Sequence, residues 1–216
     1  HLDVVDLDAL GAIKGPFTLV DSTLATPLGQ QPCRHGVSIT LHSATKGIAG
    51  HNDATLGVIA AERDLVDTIW AYSILHGATA SPYDALNGLR GIRTLGARLR
   101  QQSETAQHLA EWLSSHPGVK RVNYPGLATH PQHELAKRQM RWFGSTLSVE
   151  VCGGFEAARS LLAGLRLARA AVTLGGPDTL VSHSATSTHL SVQPDVKAAT
   201  GITDGLLRVS VGLEAF

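Results

Sequence analysis

The sequence predicts an α/β fold in unequal parts, on three observations. Short apolar runs of strand length recur early, one long helical stretch crosses the middle, and strand-like and helix-like patterns alternate after Gly118. The early runs are "FTLVDS" (Phe17–Ser22), "VSITLHS" (Val37–Ser43) and "TLGVIAA" (Thr55–Ala61). Each is apolar over most of its length, as expected of strands buried on both faces of a mostly parallel sheet. Next, "ERDLVDTIWAYSILHG" sets Leu65, Ile69 and Tyr72 at helical spacing and ends at Gly77. From about Pro82 to His116 the pattern is again helical, until Pro117-Gly118 stops it. Leu86, Leu89, Ile92, Leu95 and Leu99 form one stripe, which Leu109 and Leu113 extend, and which should face a core.

Beyond Gly118 come "VKRVNYPG", a helix near "HELAKRQMRW", "STLSVEVCGG", a helix "FEAARSLLAGLR", "ARAAVTLGG" and "LLRVSVGLE". Leu147, Val149 and Val151 share a face, which predicts a half-exposed strand. The chain therefore reads as the remainder of a large α/β domain (1–85), a long connecting helix (86–116) and a small α+β domain (117–216).

Composition narrows the function classes. With 43% hydrophobic and 17% charged residues, the 216-residue chain can bury a core and is not of disordered type. Its formal net charge of zero gives no field to steer nucleic acid or an anionic membrane, so neither is expected as a partner. Cys33 and Cys152 make no zinc spacing or disulfide framework, which favours a reducing, cytoplasmic setting. The opening "HLDVVDLDAL" has Asp3, Asp6 and Asp8 where an export signal would be basic, and no apolar run approaches a membrane span. The abrupt start without Met suggests a truncated or processed chain.

The chemistry is concentrated in "LHSATKG", Leu41–Gly47, where Lys46 follows the hydroxyl residues Ser43 and Thr45. Ser-x-x-Lys is an acylation motif, but it requires Ser-Asp-Asn and Lys-Thr-Gly elements, and neither occurs in this sequence. The alternative is a lysine that forms a Schiff base with an aldehyde cofactor, its phosphate held by the hydroxyls. Such a site also needs a carboxylate for the pyridine nitrogen. "LVDSTLATP" supplies Asp21 at the end of an apolar strand, where a buried carboxylate would need a positive partner. His51 with Asp53, and His130 with His133, lack further ligands at workable spacing, so no metal is expected.

Together, "VDSTLATP", "LHSATKGIAGHND", "TLGGPDTLVSHSATSTH" and "LLRVSVGLE" resemble the Cys/Met-metabolism family of pyridoxal-phosphate enzymes, in order and across nearly the whole chain. The family's usual forms are Val-Asp-Asn-Thr, His-Ser-x-Thr-Lys, Ser-Leu-Gly-Gly and Arg-Leu-Ser-Val-Gly. The resemblance implies a type I transferase fold, like aspartate aminotransferase, and pyridoxal 5'-phosphate held as a Schiff base to Lys46. It casts Lys46 as proton shuttle, Asp21 as pyridinium partner and Thr23 as the small residue on the ring. Ser43 and Thr45 take the phosphate-binding places. Arg208 takes the place that grips a substrate α-carboxylate, with Thr173 where the family usually has serine, and Thr188 in an element lining the site. Val172 stands where synthases and lyases often carry a glutamate that recognises a distal amino group. An uncharged residue there leans toward a C–S lyase of methionine γ-lyase type acting on a small amino acid. Cystathionine γ-synthase and O-acylhomoserine sulfhydrylase are the alternatives.

The resemblance further implies a homotetramer built from dimers that share active sites. The family's upstream phosphate-binding loop, ring-stacking tyrosine, asparagine and amino-terminal arm have no counterpart in this sequence, so the 216 residues alone are expected to be inactive. The competing class is a folded remnant that holds no cofactor.

Overall fold

The computed structural model describes residues 2–215. A short helix, α1 (Leu7–Gly11), begins at Asp6, whose carboxylate accepts the Asp8 and Ala9 N–H groups at 3.1 Å. Strand β1 (Leu19–Asp21) follows, then a single-turn helix α2 (Thr26–Gly29), strand β2 (Ile39–Ser43) and strand β3 (Gly57–Ala61). These strands form a sheet of order β1-β2-β3, with β1 parallel and β3 antiparallel to β2. All three runs read as strands are strands, but burial on both faces holds only in part. Leu19 is 55% exposed and all of β3 except Ala61 is exposed, because β1 and β3 are the sheet's two edges.

Helix α3 (Arg63–His76) ends at Gly77, whose φ of 71° is the left-handed value that a glycine adopts without strain. None of its side chains is buried, and Trp70, Tyr72 and Leu75 stand out from its surface.

The stretch read as one long helix is two, α4 (Pro82–Ile92) and α5 (Leu95–Ser114). Ser81 starts α4 by accepting the Asp84 N–H, and Pro82 occupies the first turn. The break at Arg93–Thr94 has a packing cause. Gly88 and Gly91 are the buried residues of α4; a Cβ on Gly91 would overlap Ala49 O, and one on Gly88 would meet Leu56. Helix α4 thus docks on the loop after β2 through its glycines and turns away at its end. The apolar stripe divides accordingly: Leu95 and Leu99 are buried, whereas Leu86, Leu89 and Ile92 are exposed rather than facing a core.

The remaining elements are β4 (Val119–Asn123), α6 (His133–Gln139), β5 (Thr146–Val151), α7 (Gly154–Gly164), β6 (Arg169–Ala170), β7 (Leu180–His183), α8 (Pro194–Ala199) and β8 (Leu206–Ser210). A second sheet has the order β4-β5-β8-β7-β6, antiparallel except for β6 with β7. Its apolar face, Leu147, Val149, Val151, Val181, Leu207 and Val209, packs with Ala106 and Ala110 of α5 and Ala158 of α7. Tyr124 is fully buried there and donates to Gly144 O at 2.8 Å; burial pushes its phenol well above the ordinary value.

Strand β5 is buried along its whole length, not half-exposed. Its polar face is covered because it is bonded: Ser148 accepts from Asn123 Nδ2 at 2.9 Å, and Glu150 pairs with Lys120 at 2.8 Å and Arg121 at 3.3 Å.

Candidate active site

The carboxyl ends of parallel strands are where an α/β sheet presents ligand-binding side chains. Asp21 ends β1 and Ser43 ends β2, side by side. Thr23 ties them together: its hydroxyl donates to Asp21 Oδ1 at 2.5 Å and accepts the Ser43 N–H at 2.7 Å. The Thr23 N–H also donates to Asp21 Oδ1, at 2.9 Å. Asp21 is exposed, contrary to the expectation of a buried carboxylate, because it lies on an edge strand and faces outward.

From Ser43 the chain enters a turn that presents Lys46. Ser43 O accepts the Lys46 N–H at 3.0 Å, and Lys46 O accepts the Gly50 N–H at 2.7 Å. The Thr45 hydroxyl is already engaged, accepting Leu56 N–H at 2.9 Å and donating to Leu56 O at 3.3 Å. Ser43 is half-exposed at the strand end.

The second sheet brings the other half of the site. Lys46 Nζ donates to Thr173 Oγ1 at 3.2 Å across 127 positions of sequence. Arg208, on β8, donates from Nη2 to Val172 O at 2.6 Å and Thr173 O at 3.1 Å. Its Nε is buried with no partner among the described residues, and burial lowers its guanidinium from the ordinary value. The Thr173 segment then lies directly on the lysine turn. Gly175 has φ of 77°, and a Cβ there would stand 2.6 Å from Gly47 N, so only glycine permits this approach. Ser210 holds Gly175 in place by accepting its N–H at 3.0 Å.

Lys46, Asp21, Thr23, Ser43, Thr173, Val172 and Arg208 are thus linked by a continuous chain of bonds and chain neighbours. Thr188 stands apart, exposed after β7, with its hydroxyl bonded to His189 Nδ1 at 2.9 Å. A largely apolar cavity of about 170 Å³ reaches Asp21 from the side of Leu24, Met140 and Phe143. Lys46 and Arg208 do not line it; both are half-buried.

Two residues escaped the reading of the sequence. Arg98 and Gln102 of α5 are 5% and 3% exposed. Gln102 Nε2 donates to Gly176 O at 2.8 Å and Val211 O at 3.1 Å, tying the segment after Gly175 to the residue that follows β8. Arg98 donates to the carbonyls of Gly47 and Ile48, just past Lys46. In sequence both look like ordinary polar helix residues. Their only trace is position, one residue before and three residues after Leu99 on the buried side of α5.

A family model described as Cys/Met metabolism PLP-dependent enzyme matches residues 1–216. The chain is 44% identical over 220 residues to an L-methionine gamma-lyase of Fusobacterium nucleatum subsp. polymorphum, covering 99% of this chain and 56% of that protein. It is 41% identical over 220 residues to a cystathionine beta-lyase of Coxiella burnetii, covering 100% of this chain and 57% of that protein. A crystal structure of cystathionine gamma synthase from Xanthomonas oryzae pv. oryzae superposes with a TM-score of 0.95 at 43% identity, over 98% of this chain and 56% of that one. The chain spans about half the length of the curated relatives it matches. Among the described residues no helix is long and apolar enough to cross a membrane.

Proposed function

We propose that this chain, which belongs to the Cys/Met metabolism PLP-dependent enzyme family and has its α/β type I fold, carries the cofactor lysine of an enzyme acting on carbon–sulfur bonds. The observation that carries the reading is the convergence of Lys46 and Arg208, from different sheets, on Thr173.

The residues present suit pyridoxal phosphate. Arg208 keeps a buried Nε–H with no partner among the described residues, which is what a guanidinium reserved for an anion would look like. Both recorded bonds to the Asp21 carboxylate fall on Oδ1, so Oδ2 is the oxygen that would take a ring N–H. When bound, the cofactor supplies an electrophilic aldehyde carbon and a ring that accepts the electron pair released at the substrate Cα. Lys46 Nζ would hold it covalently, then take the Cα proton as general base and return it as acid. Arg208 would grip the substrate carboxylate, with Thr173 beside it, and Asp21 would keep the ring nitrogen protonated with Thr23 next to it. Ser43 would take phosphate, and Thr45 would do so with its hydroxyl already bonded to Leu56. Thr188, which stands apart from these residues, is given no role.

For substrate, we favour a C–S lyase of methionine γ-lyase type. Val172 supports this: it is 57% exposed beside Arg208 and offers no charge to a distal ammonium. A homotetramer, and inactivity of these 216 residues alone, belong to the same proposal. They are supported by the partial coverage of the relatives and by the exposed apolar side chains Trp70, Tyr72, Leu75, Tyr83, Leu86 and Leu89.

The test is the full-length protein with added pyridoxal phosphate. A visible absorbance band lost in Lys46→Ala, with ammonia and 2-oxobutyrate formed from methionine, is the expected result. A colourless protein overturns the cofactor reading. Consumption of O-acyl-homoserine and cysteine without lyase activity overturns the substrate assignment alone.

A further inference from the structure

We infer that Arg98 is a positioning residue for Lys46, holding the lysine turn to the elbow between α4 and α5; this rests on the assignment of Lys46 above. A guanidinium that is 5% exposed normally requires a carboxylate or several carbonyls, since burial penalises its charge. Arg98 has carbonyls. Nη1 donates to Gly47 O at 2.8 Å, and Nη2 to Ile48 O at 3.1 Å and Gly91 O at 2.7 Å. Nε donates to Thr94 Oγ1 at 3.0 Å. Two acceptors follow Lys46 directly in the chain; the other two are the last turn of α4 and the residue before α5.

The surroundings are shaped to this cation. Gly50, with φ of 67°, has no side chain because a Cβ there would fall on the guanidinium, and Gly91 lies against Ala49 O. Thr94 prepares the Nε acceptor by donating its own hydroxyl proton to Gly91 O at 3.2 Å. The helix break is therefore part of the device: an unbroken helix would carry Gly91 O into its own ladder and leave no elbow for the fork to grip. Released from Arg98, Gly47 and Ile48 lose the bonds that fix the backbone just after Lys46, and Nζ loses its aim.

The experiment uses the full-length protein loaded with pyridoxal 5'-phosphate. It measures, in the folded protein, the fraction of bound cofactor that borohydride links to Lys46. Arg98→Met should lower the ratio of linked to unlinked cofactor at least about tenfold, since even one of its two charge-assisted bonds to the lysine turn is worth that shift. Thr94→Val, a gentler change that removes the Nε acceptor and the hydroxyl's bond to Gly91 O but leaves the bonds to Gly47 O and Ile48 O, should lower it about threefold, and it decides alone if Arg98→Met does not fold. A purely structural role for Arg98 would lower the melting temperature while leaving that ratio at the parent value, which would overturn the inference. If Lys46→Ala still yields the linked product, the lysine assignment itself has failed. If Lys46→Ala abolishes the product while both other variants match the parent, only the role of Arg98 is wrong.

Discussion

Replacing Gly175 with alanine probes the closest approach between the second sheet and the lysine turn. Gly175 is buried and left-handed, and the added methyl would stand 2.6 Å from Gly47 N and 3.1 Å from the Lys46 carbonyl carbon. Those are backbone atoms, so no side-chain rotation relieves the overlap. Left-handed backbone costs a non-glycine residue about 1–2 kcal/mol, and forcing a methyl into filled space about 1–3 kcal/mol more. The expected loss is therefore about 2–5 kcal/mol, read from the midpoint and slope of urea unfolding. Relief of the overlap requires the Thr173–Gly175 segment to withdraw, lengthening the 3.2 Å bond from Lys46 to Thr173. An alanine variant that unfolds within about 0.5 kcal/mol of the parent would refute this packing.

Other outcomes follow from single contacts. For Glu150, burial alone would raise the carboxyl, but the bond from Lys120 and the charges of Lys120 and Arg121 outweigh it and hold the group below its ordinary value. A depressed folded-state value means that its stabilisation is present at neutral pH and is lost as pH falls through that lowered value. Because Lys120 and Arg121 are largely solvated, Glu150→Gln should cost only about 1 kcal/mol at pH 7 and flatten the acid limb of the stability curve; an unchanged acid limb contradicts the pairing. Arg208→Lys keeps the charge but loses the fork that reaches Val172 O and Thr173 O. It should raise KM for the amino acid at least about tenfold while the bound-cofactor absorbance stays unchanged, and an unchanged KM argues against carboxylate binding there.

The local patterns were readable where one element decides its own fate. Gly77 ends α3 because glycine takes the left-handed cap, and the three early runs pair as strands. Misreadings arose where another element decides. Leu86 through Leu99 keep helical period across a break that is caused by Gly91 meeting Ala49, distant in the chain. Alternation in β5 implied one wet face, yet Ser148 and Glu150 are covered by cross-strand partners that no single-strand pattern contains. In the candidate site, motifs point to Lys46 and Asp21, but nothing in the sequence signals that the Thr23 hydroxyl braces Asp21 to Ser43. Arg98 leaves no trace, because a buried cation solvated by backbone carbonyls has no acidic partner to find.

The most direct measurement is peptide mass mapping of the full-length protein after reduction with borohydride in the presence of pyridoxal phosphate. The cofactor's mass should appear on the peptide that contains Lys46, with Lys14, Lys120, Lys137 and Lys197 unmodified. Cofactor mass on any of those four while Lys46 remains untouched would contradict the account.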